Sequence, residues 1–148
     1  MSVRLLFLCT GNSARSQMAE AILNAKGKGR FEAASAGSRP AAQVNPYALE
    51  TLREFNIPWS GHVPRSVEGL EREQWDYVIT VCDRAKEACP IFPGKPVLAH
   101  WSIPDPAEVA GSDTTKRAAF RAAFVELSRR IDLLLSLPAL APRSPIVK

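Results

Sequence analysis

The apolar positions of this chain change period several times along its length. Val3-Arg4-Leu5-Leu6-Phe7-Leu8 is a nearly continuous apolar run, the pattern of a strand covered on both faces. The segment from about Ala14 to Ala25 reads as a helix and ends on Gly27 and Gly29. Phe31 to Ala36 reads as a second strand, closed by Gly37. Asn45 is placed to cap a second helix, with Pro46 in its first turn and its body over Tyr47 to Phe55. Trp75 to Val81, Trp-Asp-Tyr-Val-Ile-Thr-Val, is the clearest β run of the chain. One or two helical turns fit Asp83 to Ala88, stopped by Pro90. Pro96 to Trp101 reads as a fourth strand. A long helix from about Ser112 to Leu137 carries Ala119, Phe120, Ala123, Phe124, Leu127, Ile131 and Leu134 at helical spacing, which turns one apolar face toward a sheet.

Strands alternating with helices predict βαβ units and a parallel sheet. The expectation is a single-domain α/β fold, a doubly wound four-stranded parallel sheet with helices on both faces. The domain spans 1–137, and the Pro-rich stretch 138–148 reads as a loose C-terminal tail.

Composition narrows the function more than the fold. Hydrophobic residues make up 46% and charged residues 23% of the 148, ordinary for a globular protein. No stretch approaches the ~18 apolar residues of a membrane span. Met1-Ser2-Val3-Arg4 leads into a strand rather than an export signal, so a cytoplasmic protein without a membrane partner is expected. The net charge of +4 suits a small anionic ligand. Its basic residues are scattered, with no aromatic-studded basic strand or recognition helix, which argues against nucleic acid. Three cysteines without an export signal point to reactive or redox use rather than a disulfide framework. His62 and His100 lie far apart and lack ligand-spaced partners, so no metal centre is expected from them.

The candidate chemistry begins where the first strand breaks, at Cys9-Thr10-Gly11-Asn12-Ser13-Ala14-Arg15-Ser16. A tight loop closed by a helix N-terminus aims backbone N–H groups at a tetrahedral oxyanion. Thr10, Gly11, Asn12, Ser13, Ala14 and Arg15 are therefore the candidate oxyanion cradle, with the Arg15 fork gripping two oxygens. The same field should favour a Cys9 thiolate, the reactive form. Ser16 is placed to hydrogen-bond the sulfur. Gly11 is expected to allow close backbone approach, and Asn12 to adopt a positive φ.

Asp105, held between Pro104 and Pro106 after the fourth strand, has two readings. Asp and Pro are common in turns. A carboxylic acid there is also positioned to protonate an oxygen leaving a phosphate-like centre. Cys82 and Cys89 likewise read either as small apolar fillers or as a thiol pair. Were Cys82 to Cys89 continuous helix, their Cα atoms would lie about 10 Å apart along the axis. A disulfide requires roughly 4.4–6.8 Å, so closing the pair would unwind the segment between them.

Cys9-x5-Arg15-Ser16, Ser35-Ala36-Gly37 after the second strand and the late Asp105-Pro106 together resemble the low-molecular-weight protein tyrosine phosphatase superfamily, over about Val3 to Leu137. Within it, Cys82 and Cys89 at that spacing resemble the thioredoxin-coupled arsenate reductases. Phosphatases of this fold carry aromatic residues after the Asp-Pro, whereas Ala107-Glu108-Val109-Ala110-Gly111 follow here. The resemblance implies arsenate reduction to arsenite, with Cys9 as nucleophile, Arg15 as clamp, Ser16 as thiolate stabiliser and Asp105 as acid. It also implies a Cys82–Cys89 redox disulfide passed to thioredoxin, with no tightly bound cofactor. A potassium ion near Asn12, Glu20 and Ser35 is a further implication, and His62 reads as structural. A phosphatase for phosphotyrosine or small phosphate esters is the first alternative, and a non-catalytic oxyanion-binding or sensing module the second.

Overall fold

The computed structural model describes residues 2–82 and 92–137. The expected turns at Asp83–Ala88, Cys89 and the tail 138–148 lie outside the described residues. Four strands, β1 (Val3–Cys9), β2 (Phe31–Gly37), β3 (Tyr77–Thr80) and β4 (Val97–His100), form one sheet in the order β2-β1-β3-β4. All three pairings are parallel. Helices α1 (Arg15–Lys26), α2 (Pro46–Glu54) and α3 (Asp113–Ser136) pack around it, with short 3-10 turns at Leu70–Arg72 and Pro106–Glu108.

Every residue of β1 except Arg4 is buried, as its unbroken apolar run requires of a central parallel strand. Asn45 caps α2, its side-chain oxygen accepting from the Tyr47 amide with Pro46 in the first turn. Ser112 caps α3 by accepting from the Thr115 amide. The periodic face of α3 buries Phe120, Ala123, Phe124, Leu127, Ile131 and Leu134. Each large member of that face contributes about 1.5–3 kcal/mol through removal from water.

β3 is shorter than the apolar run around it. Trp75 donates its indole N–H to the Leu70 carbonyl at 2.8 Å, and Asp76 accepts the Arg4 amide on its carboxylate at 2.8 Å. Residue-by-residue strand pairing with β1 therefore starts at Tyr77. No described helix is long and apolar enough to cross a membrane.

Sheet order decides where a site can form. From β1 the chain crosses to β2 on one side, and the later strands β3 and β4 are added on the other. The carboxyl ends of β1 and β3 thus border the crevice at the point where the winding reverses.

Candidate active site

A cavity of about 490 Å³ opens at that point, and its wall includes Cys9 to Arg15, Cys82 and Asp105. The loop between β1 and α1 is held from behind. The carbonyls of Thr10, Gly11 and Ser13 accept from the amides of Arg39, Ala41 and Asn45 at 2.9, 2.9 and 2.8 Å. With those carbonyls engaged by the 39–45 segment, the amides of residues 11–14 have no hydrogen-bond partner among the described residues. Asn12 has φ 52°, the left-handed turn expected of it. The close approach falls on a different glycine from the expected one. A Cβ on Gly11 would meet nothing nearer than 3.6 Å, whereas one on Gly37 would strike the Thr10 carbonyl at 2.4 Å. Gly37, at the end of β2, is thus the residue that lets loop and sheet lie together.

Arg15, the first residue of α1, reaches across the cavity. Its Nη1 donates to the Ile103 carbonyl at 2.7 Å, and Nη2 lies 3.4 Å from Asp105 Oδ2. Arg15 Nε is buried without a partner among the described residues. The other Asp105 oxygen accepts the Ala107 amide at 2.9 Å and caps the 3-10 turn. Asp105 is therefore a turn residue and a cavity residue at once.

Cys9 and Cys82 are both buried. Cys82 sits just past β3, its sulfur 3.3 Å from Thr10 Oγ1. Its thiol acts on Cys9 as a hydrogen-bonding neighbour and, together with burial, pushes the Cys9 thiol well up from its ordinary pKa. The Arg15 charge and the Thr10 amide pull the other way without prevailing. The expected thiolate is thus corrected to a neutral thiol, because the second sulfur and desolvation outweigh the loop's field.

A match to the model of the low molecular weight phosphotyrosine protein phosphatase family runs from residue 4 to 140. The chain belongs to this family. An arsenate reductase from Halalkalibacterium halodurans is 36% identical over 127 residues, 86% of this chain and 91% of that protein. Among solved structures, a low molecular weight protein tyrosine phosphatase from T. tengcongensis is 30% identical with TM-score 0.73, covering 90% of this chain and 98% of that one. A thioredoxin-dependent arsenate reductase from Corynebacterium glutamicum is 28% identical with TM-score 0.61, covering 90% of this chain and 63% of that one.

Behind the cradle of this phosphatase-family loop lies a polar network that the sequence revealed only in part. Asn12 Nδ2 donates to Ser16 Oγ at 2.7 Å and to Ser35 Oγ at 2.9 Å, and Ser35 donates to Glu20 Oε1 at 2.6 Å. Asn12, Ser35 and Glu20 are thus brought together as expected. Ser16 is drawn to Asn12, and no hydrogen bond joins it to Cys9 among the described residues. Gln17, which no sequence motif marks, joins this network. It donates to Asn12 Oδ1 at 3.1 Å and accepts from the Trp59 indole at 2.8 Å. His62 stacks on Trp59 at 3.4 Å between ring centroids, a packing role. Nothing in the spacing of Gln17 and Trp59, 42 residues apart, signals that contact.

The Cys9–Cys82 relation makes one prediction testable without substrate. Cys82→Ala removes the largest upward influence on Cys9, so iodoacetamide should alkylate Cys9 several-fold faster at neutral pH. Each unit of lowered pKa raises the thiolate fraction about tenfold. In the unsubstituted protein the rate should climb with pH through the neutral and mildly alkaline range, since the raised pKa leaves the thiol protonated there. Mass-resolved alkylation checks both; an unchanged rate in Cys82→Ala would leave burial alone to hold the proton.

Proposed function

We propose that the protein is an arsenate reductase that converts arsenate to arsenite and is regenerated by thioredoxin. Arsenate is a tetrahedral oxyanion, and the unpaired amides of residues 11–14 with Arg15 form a matching donor set. In the proposed sequence, arsenate is bound and takes up the Cys9 proton as the sulfur attacks arsenic. An oxygen of arsenate departs as water with a proton from Asp105, leaving a sulfur–arsenic(V) bond. Cys82 then attacks the Cys9 sulfur. The S–As bond breaks with its electron pair on arsenic, so arsenic is reduced and released as arsenite while a Cys9–Cys82 disulfide forms. Cys89 attacks Cys82, freeing Cys9 and leaving a Cys82–Cys89 disulfide, which a thioredoxin dithiol reduces. The two electrons that arsenic gains come from the two thiols and finally from thioredoxin.

The observation that carries this reading is the second buried thiol in the oxyanion cavity, beside Cys9. Hydrolysis of a phosphate ester has no step for it. We place the protein in the cytoplasm, where thiols are kept reduced between turnovers. The whole of residues 1–137 forms one catalytic domain in this reading, with 138–148 as a tail.

The test is NADPH oxidation by the protein with arsenate, thioredoxin and thioredoxin reductase. One NADPH should be consumed per arsenite formed. Absence of arsenate-dependent oxidation, with arsenate still bound, would leave an oxyanion-binding module. Absence of oxidation with rapid aryl phosphate hydrolysis would make the protein a phosphatase, the reading that Cys9, Arg15 and Asp105 also serve. Ala107 and Val109 offer no aromatic ring to frame a phenyl group.

A further inference from the structure

The resemblance implies a potassium ion near Asn12, Glu20 and Ser35, but the oxygens there are already engaged. Asn12 Oδ1 accepts from Gln17 Nε2 at 3.1 Å and from the Arg65 amide at 2.9 Å. Ser35 Oγ donates to Glu20 and accepts from Asn12. A carbonyl oxygen has two lone pairs, and both on Asn12 face N–H donors. Potassium is held by carbonyl and similar oxygens that replace its hydration shell, and this cluster has few left to give. Of the side-chain oxygens of these three residues, one Glu20 carboxylate oxygen accepts no hydrogen bond among the described residues.

A permanent cation stands beside the cluster instead. Arg65 donates Nε–H to the Ser35 carbonyl at 3.1 Å. Its backbone is pinned at the end of β2, since the Gly37 amide donates to the Arg65 carbonyl at 2.9 Å and the Val67 amide to the Gly37 carbonyl at 3.0 Å. Glu20 is half-buried, and desolvation pushes its pKa up, while Ser35 and the Arg65 charge favour the carboxylate. An arginine stays charged at any physiological pH and cannot diffuse away.

We propose that Arg65 takes the part of the cation: it is a positioning residue whose tethered guanidinium balances Glu20 and steadies the Ser35 main chain behind the oxyanion loop while its own main-chain amide holds Asn12, so the protein has no use for potassium. The loop is held through three contacts, Arg65 Nε–H to the Ser35 carbonyl, the Arg65 main-chain amide to Asn12 Oδ1 and Asn12 Nδ2 to Ser35 Oγ; a substitution at Arg65 removes only the first, together with the charge beside Glu20. The kinetic arm of the test rests on the arsenate reductase reading. The thermal and phosphate-binding arms do not, so the two can fail separately.

The experiment compares the unsubstituted protein with Arg65→Lys and Arg65→Ala in potassium, sodium and choline chloride at equal ionic strength. Thermal midpoints of the unsubstituted protein should agree across the three salts within about 1 °C, since a specifically bound ion would raise them with its concentration. Arg65→Ala should melt lower by roughly 3–6 °C, and Arg65→Lys should recover most of that loss. Inorganic phosphate, used as the oxyanion probe, should bind Arg65→Ala about tenfold more weakly, and KM for arsenate should rise more than kcat falls. A saturable potassium-specific stabilisation of the unsubstituted protein would overturn the proposal. So would Arg65→Ala with unchanged phosphate affinity, whether or not its melting point drops, because a merely structural arginine would leave the loop's grip intact. Should Arg65→Ala not fold, the salt comparison and the phosphate affinity of Arg65→Lys, expected within about threefold of unsubstituted, decide the matter.

Discussion

Cys9→Ser should eliminate arsenate reduction and aryl phosphate hydrolysis together, each by at least about three orders of magnitude. Among the described residues, no histidine lines this cavity to act as base for a serine hydroxyl. Its alkoxide is far less accessible than the thiolate, even with the Cys9 pKa pushed up by Cys82 and burial. The fold should hardly respond. Cys9 ends β1 in a buried position, and Ser differs from Cys by one atom, so the cost is a small polar burial. The cradle should survive as well, because its carbonyls are held by Arg39, Ala41 and Asn45 and not by the sulfur. Phosphate should therefore bind Cys9→Ser about as tightly as the unsubstituted protein. Steady-state assays of both reactions, with a phosphate titration on the same preparation, check this. Turnover within tenfold of normal would remove Cys9 from the chemistry of either reading.

Such a separation of binding from reaction is possible because different parts of the chain perform them, and they were not equally legible. The four strands, the three helices of the described residues and the cap at Asn45 follow from local pattern, and each appears where the pattern places it to within about two residues. The proposed nucleophile and clamp share a cavity for a similar reason: Cys9 and Arg15 flank one short loop, so their meeting is a local event. Asp105 was ambiguous in isolation, and its contact with Arg15 across 90 residues turned a turn residue into a wall of the cavity. The ionisation of Cys9 was misread because the loop's field is written locally, while the opposing thiol arrives from the end of β3. Gly37 shows the same limit. Its obligation comes from the Thr10 carbonyl, a neighbour supplied by strand pairing and not by sequence proximity. What hides from a sequence here is contact between segments far apart in the chain.

That distinction bears on Cys82 and Cys89, which the reductase reading requires and the phosphatase reading does not. Cys82→Ser and Cys89→Ser should each stop multiple-turnover arsenate reduction, with a loss of at least about a hundredfold. Both should leave aryl phosphate hydrolysis within a few-fold of normal, since ester cleavage uses Cys9, the loop, Arg15 and Asp105 but neither of these two thiols. The two variants should nonetheless stall differently. In Cys82→Ser no thiol attacks the Cys9 sulfur, so arsenic remains bonded to Cys9 and no arsenite is released. In Cys89→Ser the attack by Cys82 proceeds, one arsenite per protein is released, and the chain stops as a Cys9–Cys82 disulfide. Single-turnover quantification of arsenite, with peptide mapping of the trapped species by mass spectrometry, separates these outcomes. Cys82→Ser carries an additional expected effect on hydrolysis: removal of the neighbouring thiol lowers the Cys9 pKa, so any change in phosphatase rate at neutral pH should be upward. Full arsenate turnover in both variants would make the pair structural and assign the site to phosphate esters. One equivalent of arsenite from Cys82→Ser would mean that another thiol resolves Cys9, and the order of the relay would have to be redrawn.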